Sequence, residues 1–274
     1  MPQTKLIDCH LHLQDDCFAG DLPAVIKRAK TAGVAMMVCN GASQSDWPTV
    51  LSLARSDPAI IPCFGVHPWY APSCAPYWLA ELKHFLTAAP SGVGETGLDR
   101  YIEPRNEKTQ EDVFRAQLSL AAELKRPVTI HCVQAWGWMM SILRSHHRLP
   151  ERMLLHSYGG SPELMKPLAA MGAYFSYAGN LLRDKAVHRR EALVATPLDR
   201  LLLETDSPDI IPPKRYCLAV NGTTTDGKPR NEPANLVGIV DGAASLLKMD
   251  ASELRGILHK NARAFFGDLI NGDL

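Results

Sequence analysis

A chain of 274 residues with 46% hydrophobic and 21% charged side chains has the balance of a folded globular protein, which excludes a disordered or low-complexity chain. Lys plus Arg and Asp plus Glu are equal at 29 each, so no net basic field exists to coat a long duplex, and a nucleic-acid partner has to be gripped locally. No apolar run approaches the length of a bilayer-spanning helix, so a membrane role is not expected.

Met1 to Lys5 lead directly into an apolar strand without the pattern of a secretory leader. The cysteines (Cys9, Cys17, Cys39, Cys63, Cys74, Cys132 and Cys217) are odd in number and contain no Cys-x-x-Cys pair. Both features lead to the expectation of a cytoplasmic protein with reduced thiols. Along the chain, apolar and often β-branched runs alternate with amphipathic stretches. A strand at 5–10 and a helix at 21–31 come first, then strand 34–39 with helix 45–56, and strand 60–66 with helix 76–88. Strand 92–95 precedes helix 107–125, strand 128–132 precedes helix 136–146, and strand 153–156 precedes helix 162–171. Strand 173–177, helix 184–195 and strand 200–205 follow; after a long Pro-, Gly- and Thr-rich loop at 208–233 come helices at 232–247 and 251–265. This rhythm predicts a (β/α)8 TIM barrel filling 1–274 as a single domain, although rhythm alone also admits an open doubly wound sheet. Polar chemistry at the C-terminal ends of many different strands favours the barrel.

That chemistry is a set of histidines and acids, each closing a predicted strand. His10 and His12 end the first, Glu95 the fourth, His131 the fifth, His156 the sixth and Asp206 the eighth. Residues two apart on a strand share a side, so His10 and His12 aim at one space. Six imidazole and carboxylate groups exceed what one catalytic zinc needs, and with Glu95 as a bridge they suit two divalent ions. One or two ions, of Zn, Mn or Mg, are compatible with such a set. His10 and His12 are expected to share one ion with Asp206, and His131 and His156 to hold the other, because the first and eighth strands are neighbours in a closed barrel. Asp206 is the candidate general base, with Glu204 pointing away. His67, before Pro68, is either a phosphate contact or a packed loop histidine, and Asp99 and Arg105 are either substrate contacts or surface charges. Trp69, Trp136 and Trp138 follow strand ends and serve as rim packing or base-stacking surfaces.

The ordered segments Asp8-Cys9-His10-Leu11-His12, Gly65-Val66-His67-Pro68, Gly94-Glu95-Thr96-Gly97-Leu98-Asp99, Pro127-Val128-Thr129-Ile130-His131 and Glu204-Thr205-Asp206-Ser207-Pro208 resemble the signatures of the TatD family of metal-dependent deoxyribonucleases. Arg230-Asn231-Glu232-Pro233 and the C-terminal Asn261-Ala262-Arg263 segment fit as well, so the resemblance covers nearly the whole chain. It implies an amidohydrolase-type TIM barrel with metal on His10, His12, Glu95, His131, His156 and Asp206. It also implies hydrolysis of phosphodiester bonds, commonly in DNA. From the residues themselves, Asp206 and Glu95 are the candidate catalytic groups acting with metal-activated water, and His67 and Arg105 the candidate contacts to a DNA or small-diester substrate. The chain departs from the family pattern at Val133, where an Arg is usual, and at Arg100, Trp136 and Trp138. Loss of that cation keeps open an amidohydrolase-type activity on a small ester, amide or lactone. The absence of a bridging Lys at the fourth strand end favours the nuclease. A catalytically silent metal-binding scaffold is disfavoured by the intact ligand set.

Overall fold

The computed structural model describes residues 4–270. Eight strands run in sequence order around one sheet: β1 (Leu6–Leu11), β2 (Val34–Asn40), β3 (Ile60–Phe64), β4 (Gly92–Asp99), β5 (Val128–Val133), β6 (Met153–Leu155), β7 (Ala173–Tyr177) and β8 (Leu201–Leu203). All seven successive pairs are parallel. The ring closes just beyond β8, where Asp206 N donates to His10 O at 3.0 Å and His12 N donates to Ser207 O at 2.7 Å. Asp8 secures the same seam, its buried carboxylate accepting from Thr205 N at 2.9 Å and Thr205 Oγ1 at 2.6 Å. The result is a (β/α)8 TIM barrel.

The strands read as unbroken apolar runs because helices cover the sheet's outer face while side chains fill its interior. These helices are α1 (Leu22–Ala32), α2 (Trp47–Ser56), α3 (Trp78–Ala88), α4 (Glu107–Glu123), α5 (Trp136–Ser145), α6 (Met165–Ala170) and α7 (Val187–Ala195), with α8 (Leu236–Leu247) and α9 (Ala251–Phe266) both following β8. Gly33, left-handed at φ 98°, ends α1 one residue before β2, a turn that other residues adopt only with strain. Asp250 caps α9 by accepting from Ser252 N and Glu253 N. Asn261 then ties α9 to the start of β8 through Leu198 O and Leu201 O, at 2.7 and 2.8 Å. No helix among the described residues is long and apolar enough to cross a membrane.

The structure departs from expectation at β4, which continues past 95 to Asp99 and therefore carries Glu95 in its interior rather than at its end. Gly94 and Gly97 lie at φ 154° and 150°, and the β4 register against β5 shifts between Val93 and Thr96. Two glutamines of α4 bond the irregular backbone here. Gln117 accepts from Val66 N at 2.8 Å and donates to Val66 O at 3.1 Å. Gln110 accepts from Asp99 N at 2.9 Å and donates to Asp99 O at 3.0 Å. At the other end of the chain β8 is shorter than 200–205, because beyond Glu204 the backbone leaves the ladder for the seam held by Asp8.

Candidate metal centre

Glu95 is the hub of the C-terminal mouth of the barrel, buried to 3% exposure, and its two carboxylate oxygens face different histidines. Oε2 lies 3.3 Å from His10 Nε2 and 3.2 Å from His12 Nε2. Oε1 lies 2.8 Å from His156 Nε2, 2.9 Å from His131 Nδ1 and 3.4 Å from His67 Nε2. Asp206 completes the cluster with Oδ1 3.5 Å from His10 Nε2 and 3.9 Å from His12 Nε2. All six expected ligands therefore meet in one place, delivered by the ends of β1, β5 and β6, the interior of β4 and the seam beyond β8.

Three sets of donors have their atoms mutually within 4.8 Å: His10, His12 and Glu95; His10, His156 and Asp206; and His67, Glu95 and His131. Asp206 groups with His10 and His156, whose rings stack at 3.9 Å, and its Oδ1 also lies within 3.9 Å of both His10 and His12, the grouping expected from the sequence. His67 joins the donors at the mouth instead of standing apart from them. Pairs of imidazole nitrogens approach to 3.2 Å, His10 with His12 and His131 with His156, so basic nitrogens crowd together around the Glu95 carboxylate. Nitrogen and oxygen donors so arranged fit divalent cations such as zinc or manganese.

A second layer aims these rings. The imidazole Nδ1 of His12 meets Asn40 O at 2.8 Å, which leaves its Nε2 for the cluster. His131 Nε2 lies 3.1 Å from Asp99 Oδ2, and Asp99 also accepts from Trp69 Nε1 at 2.8 Å and Tyr101 N at 2.6 Å. Glu204 does not point away from the site, as the sequence suggested. Its Oε1 is 3.5 Å from His156 Nδ1, a charge contact rather than a formed hydrogen bond, and its carboxylate accepts from Ser157 N and Ser176 Oγ. Glu204 still donates from its N to Tyr177 O at 3.1 Å, and it stands two residues before Asp206, the spacing that puts side chains on one side of an extended chain, so both reach the barrel mouth.

The charges follow from this packing. Burial alone would raise the Glu95 carboxyl, but the charges of His156, His67 and His10 hold it well below the usual carboxylate range. Burial acts on His12 in the opposite sense, and the hydrogen bond and charge of Glu95 override it to hold the imidazole up at about 9. Asp99 is held down at about 2, since its bonds from His131 and Trp69 outweigh its desolvation. His67 is pushed well below the usual histidine range by burial. The centre is an ionised carboxylate ringed by imidazoles, a site that can exchange protons for a cation.

Beside the cluster opens a cleft of about 380 Å³ whose walls include His131, His156, Asp206, Val133, Trp136 and Arg189. Arg105 is not among the groups brought together; it stands in the turn after β4, paired with Glu103 at 3.2 Å. Trp138 is occupied with Glu111 at 2.8 Å and with the Arg100 guanidinium 5.2 Å from its ring. Asn40, Glu204 and Arg189 were not singled out as part of the site. Asn40 closes β2 as the ligands close their strands, a position that marks it; Arg189 carries no such signal, because it arrives from a helix.

A family described as TatD related DNase matches residues 7–267. A 3'-5' ssDNA/RNA exonuclease TatD of Erwinia tasmaniensis is 34% identical over 272 residues, covering 95% of this chain and 99% of the relative. The Bacillus subtilis protein YabD, described as an uncharacterized metal-dependent hydrolase, is 30% identical across 95% of this chain and 98% of its own length. Among solved structures, the TatD homologue YJJV of Escherichia coli superimposes with a TM-score of 0.86 at 26% identity, covering 96% of this chain and 98% of that one.

Proposed function

The chain belongs to the TatD family of metal-dependent hydrolases, and from that premise we propose that it hydrolyses phosphodiester bonds in DNA with two divalent ions seated on the cluster. The observation that carries this reading is the division of Glu95, one oxygen to His10 and His12 and the other to His131, His156 and His67. No other carboxylate of the described residues faces both histidine sets so closely, so Glu95 is the bridging ligand. His10, His12, His131, His156 and Asp206 complete the shell. Zinc, manganese and magnesium are the candidates, with the imidazole-rich shell favouring the first two.

When bound, the ions polarise the phosphodiester and make a water acidic enough to attack at neutral pH. The remaining work belongs to the chain. Asp206, beside His10 and His156, takes the proton of the attacking water. His67, at the mouth of the site, donates a hydrogen bond to a non-bridging phosphate oxygen. Asp99 and Glu204 hold the rings of His131 and His156 so that the donor atoms keep their places through turnover. Arg105, on the rim turn after β4, meets the part of a longer strand that extends past the cleft. The whole chain acts as one hydrolase domain, and its seven unpaired cysteines suit the reducing cytoplasm.

The test is a screen of metal-reconstituted protein against single-stranded DNA, duplex DNA, RNA and a small chromogenic diester, with a lactone and an anilide as non-phosphate controls. Diester cleavage that chelator and Asp206→Asn each abolish is the expected result. Turnover of the lactone or anilide with none of the diesters would move the function to the amidohydrolase alternative.

A further inference from the structure

The cleft beside the metal centre contains a guanidinium that no carboxylate of the described residues pairs with at close range; Glu204 and Asp206 act on it only through their charges. Arg189 projects from α7, and its Nη1 donates to Ser157 O at 2.9 Å and Tyr158 O at 3.0 Å, the two carbonyls that directly follow His156. Other arginines of the molecule show the usual arrangement. Arg230 pairs with Asp21 at 2.8 Å, Arg28 with Glu232 at 2.7 Å, and Arg100 with Glu107 at 2.9 Å. Among the described residues, no carboxylate forms such a pair with Arg189, although it is half-buried and its desolvation disfavours the charge. A partly buried cation whose direct partners are neutral carbonyls keeps capacity for an anion that reaches it from the cleft.

The surroundings show which anion fits. Gln134 and Asn180 line the same cleft, and their side-chain amides have no protein partner among the described residues. Trp136 supplies an aromatic wall, held edge-on against Tyr158 at 4.8 Å. His131, His156 and Asp206 form the inner end, so whatever occupies the cleft adjoins the group that reacts. A cation, two free amides and an indole surface beside a phosphodiester-cleaving centre match one nucleotide unit, with a phosphate for the cation and a base for the indole.

We propose that Arg189 binds the phosphate adjacent to the scissile one in a single-stranded oligonucleotide, with Gln134 and Asn180 as supporting donors and Trp136 as the stacking surface. The assignment rests on the phosphodiesterase reading above and adds a specificity residue to it. It also explains how Val133, an apolar residue in the same cleft, is compatible with a polyanionic substrate: the cation comes from α7 instead.

Two measurements on the metal-loaded protein test it. In the first, binding of a short phosphorothioate oligonucleotide is followed by fluorescence anisotropy across a salt series for wild type, Arg189→Met and Arg189→Lys. Arg189→Met is expected to weaken binding by about tenfold or more and to lower the salt slope by about 0.7, the value for one contact to a single strand, while Arg189→Lys recovers part of the loss. In the second, kcat/KM is compared between an oligonucleotide and a small chromogenic diester that has no neighbouring phosphate. The loss on the oligonucleotide should exceed that on the diester by about tenfold. Equal losses on both would show that Arg189 only braces Ser157 and Tyr158, and unchanged binding would overturn the assignment outright. A wild type that binds the oligonucleotide through Arg189 but cleaves no diester would leave the inference standing and remove the hydrolytic reading instead.

Discussion

Glu95, His12 and His131 are each held at two points, and the second point decides how well the first can work. Glu95 is the extreme case, since each of its oxygens has its own histidines. Replacing it by Gln removes the charge that draws two cations together, so Glu95→Gln is expected to lose at least one equivalent of metal and most turnover. Metal analysis of the purified variant checks this, and two retained equivalents with normal activity would rule the bridge out. Asp99 lies one step further from the reaction. Its contact to His131 Nε2 at 3.1 Å fixes the ring so that Nδ1 faces Glu95. Asp99→Ala should therefore weaken metal binding by about 10–100-fold, the usual cost of losing such a support, with the barrel still folded. A metal titration against circular dichroism of the same sample separates the two effects.

At the scale of elements, β4 concentrates most of what makes this barrel an enzyme. Gly97 sits at φ 150°, and a Cβ there would run into the backbone of His131 on β5. Gly97→Ala therefore strains the backbone and forces apart the two strands that carry Glu95 and His131. The expectation is a lower Tm together with lost metal affinity, and a variant that melts and binds like wild type would show that the close approach is not needed. Gln117 of α4 ties β4 to the segment after β3, donating to Thr96 Oγ1 at 2.5 Å and bonding both Val66 N and Val66 O. Gln117→Leu leaves Val66 N and O without their buried partner, at a cost of about 1–3 kcal/mol that chemical denaturation can measure. The sequence showed the eight strands and their helices because burial on both faces makes each strand apolar and each helix amphipathic. It hid the second half of β4 because Gly94 and Gly97 look like a loop when their cross-strand neighbours are unknown. It disclosed the ligands through one shared property, position at or near a strand end. Asn40 closes β2 and Glu204 stands two residues before Asp206, so both carry a local mark although their partners lie on other elements; Arg189 comes from a helix, and nothing local in its segment announces its contacts.

For the molecule as a whole, residues of the proposed metal shell also sit on the seam that closes the barrel. The ring is joined by backbone bonds from Asp206 to His10 and from His12 to Ser207, so two ligands of the first strand and one beyond the last lie directly on the closure. Further along, Arg230 and Arg28 bind Asp21 and the buried Glu232, which pins the end of the long 208–233 segment onto α1. Ions held by His10, His12 and Asp206 and by His131 and His156, with Glu95 between them, would link strands that are distant both in sequence and around the ring. Binding to the folded state alone stabilises it by mass action, by about 4 kcal/mol when free metal is 1,000 times its Kd. In a barrel of this size each kcal/mol moves Tm by about 2 °C, so stripping the metal should lower Tm by roughly 8 °C and reloading should restore it. The Glu95→Gln protein should respond less, because it holds less metal. If chelation removes the metal and leaves Tm where it was, the cluster contributes nothing to closure, and the seam is held by Asp8, Thr205 and the backbone alone.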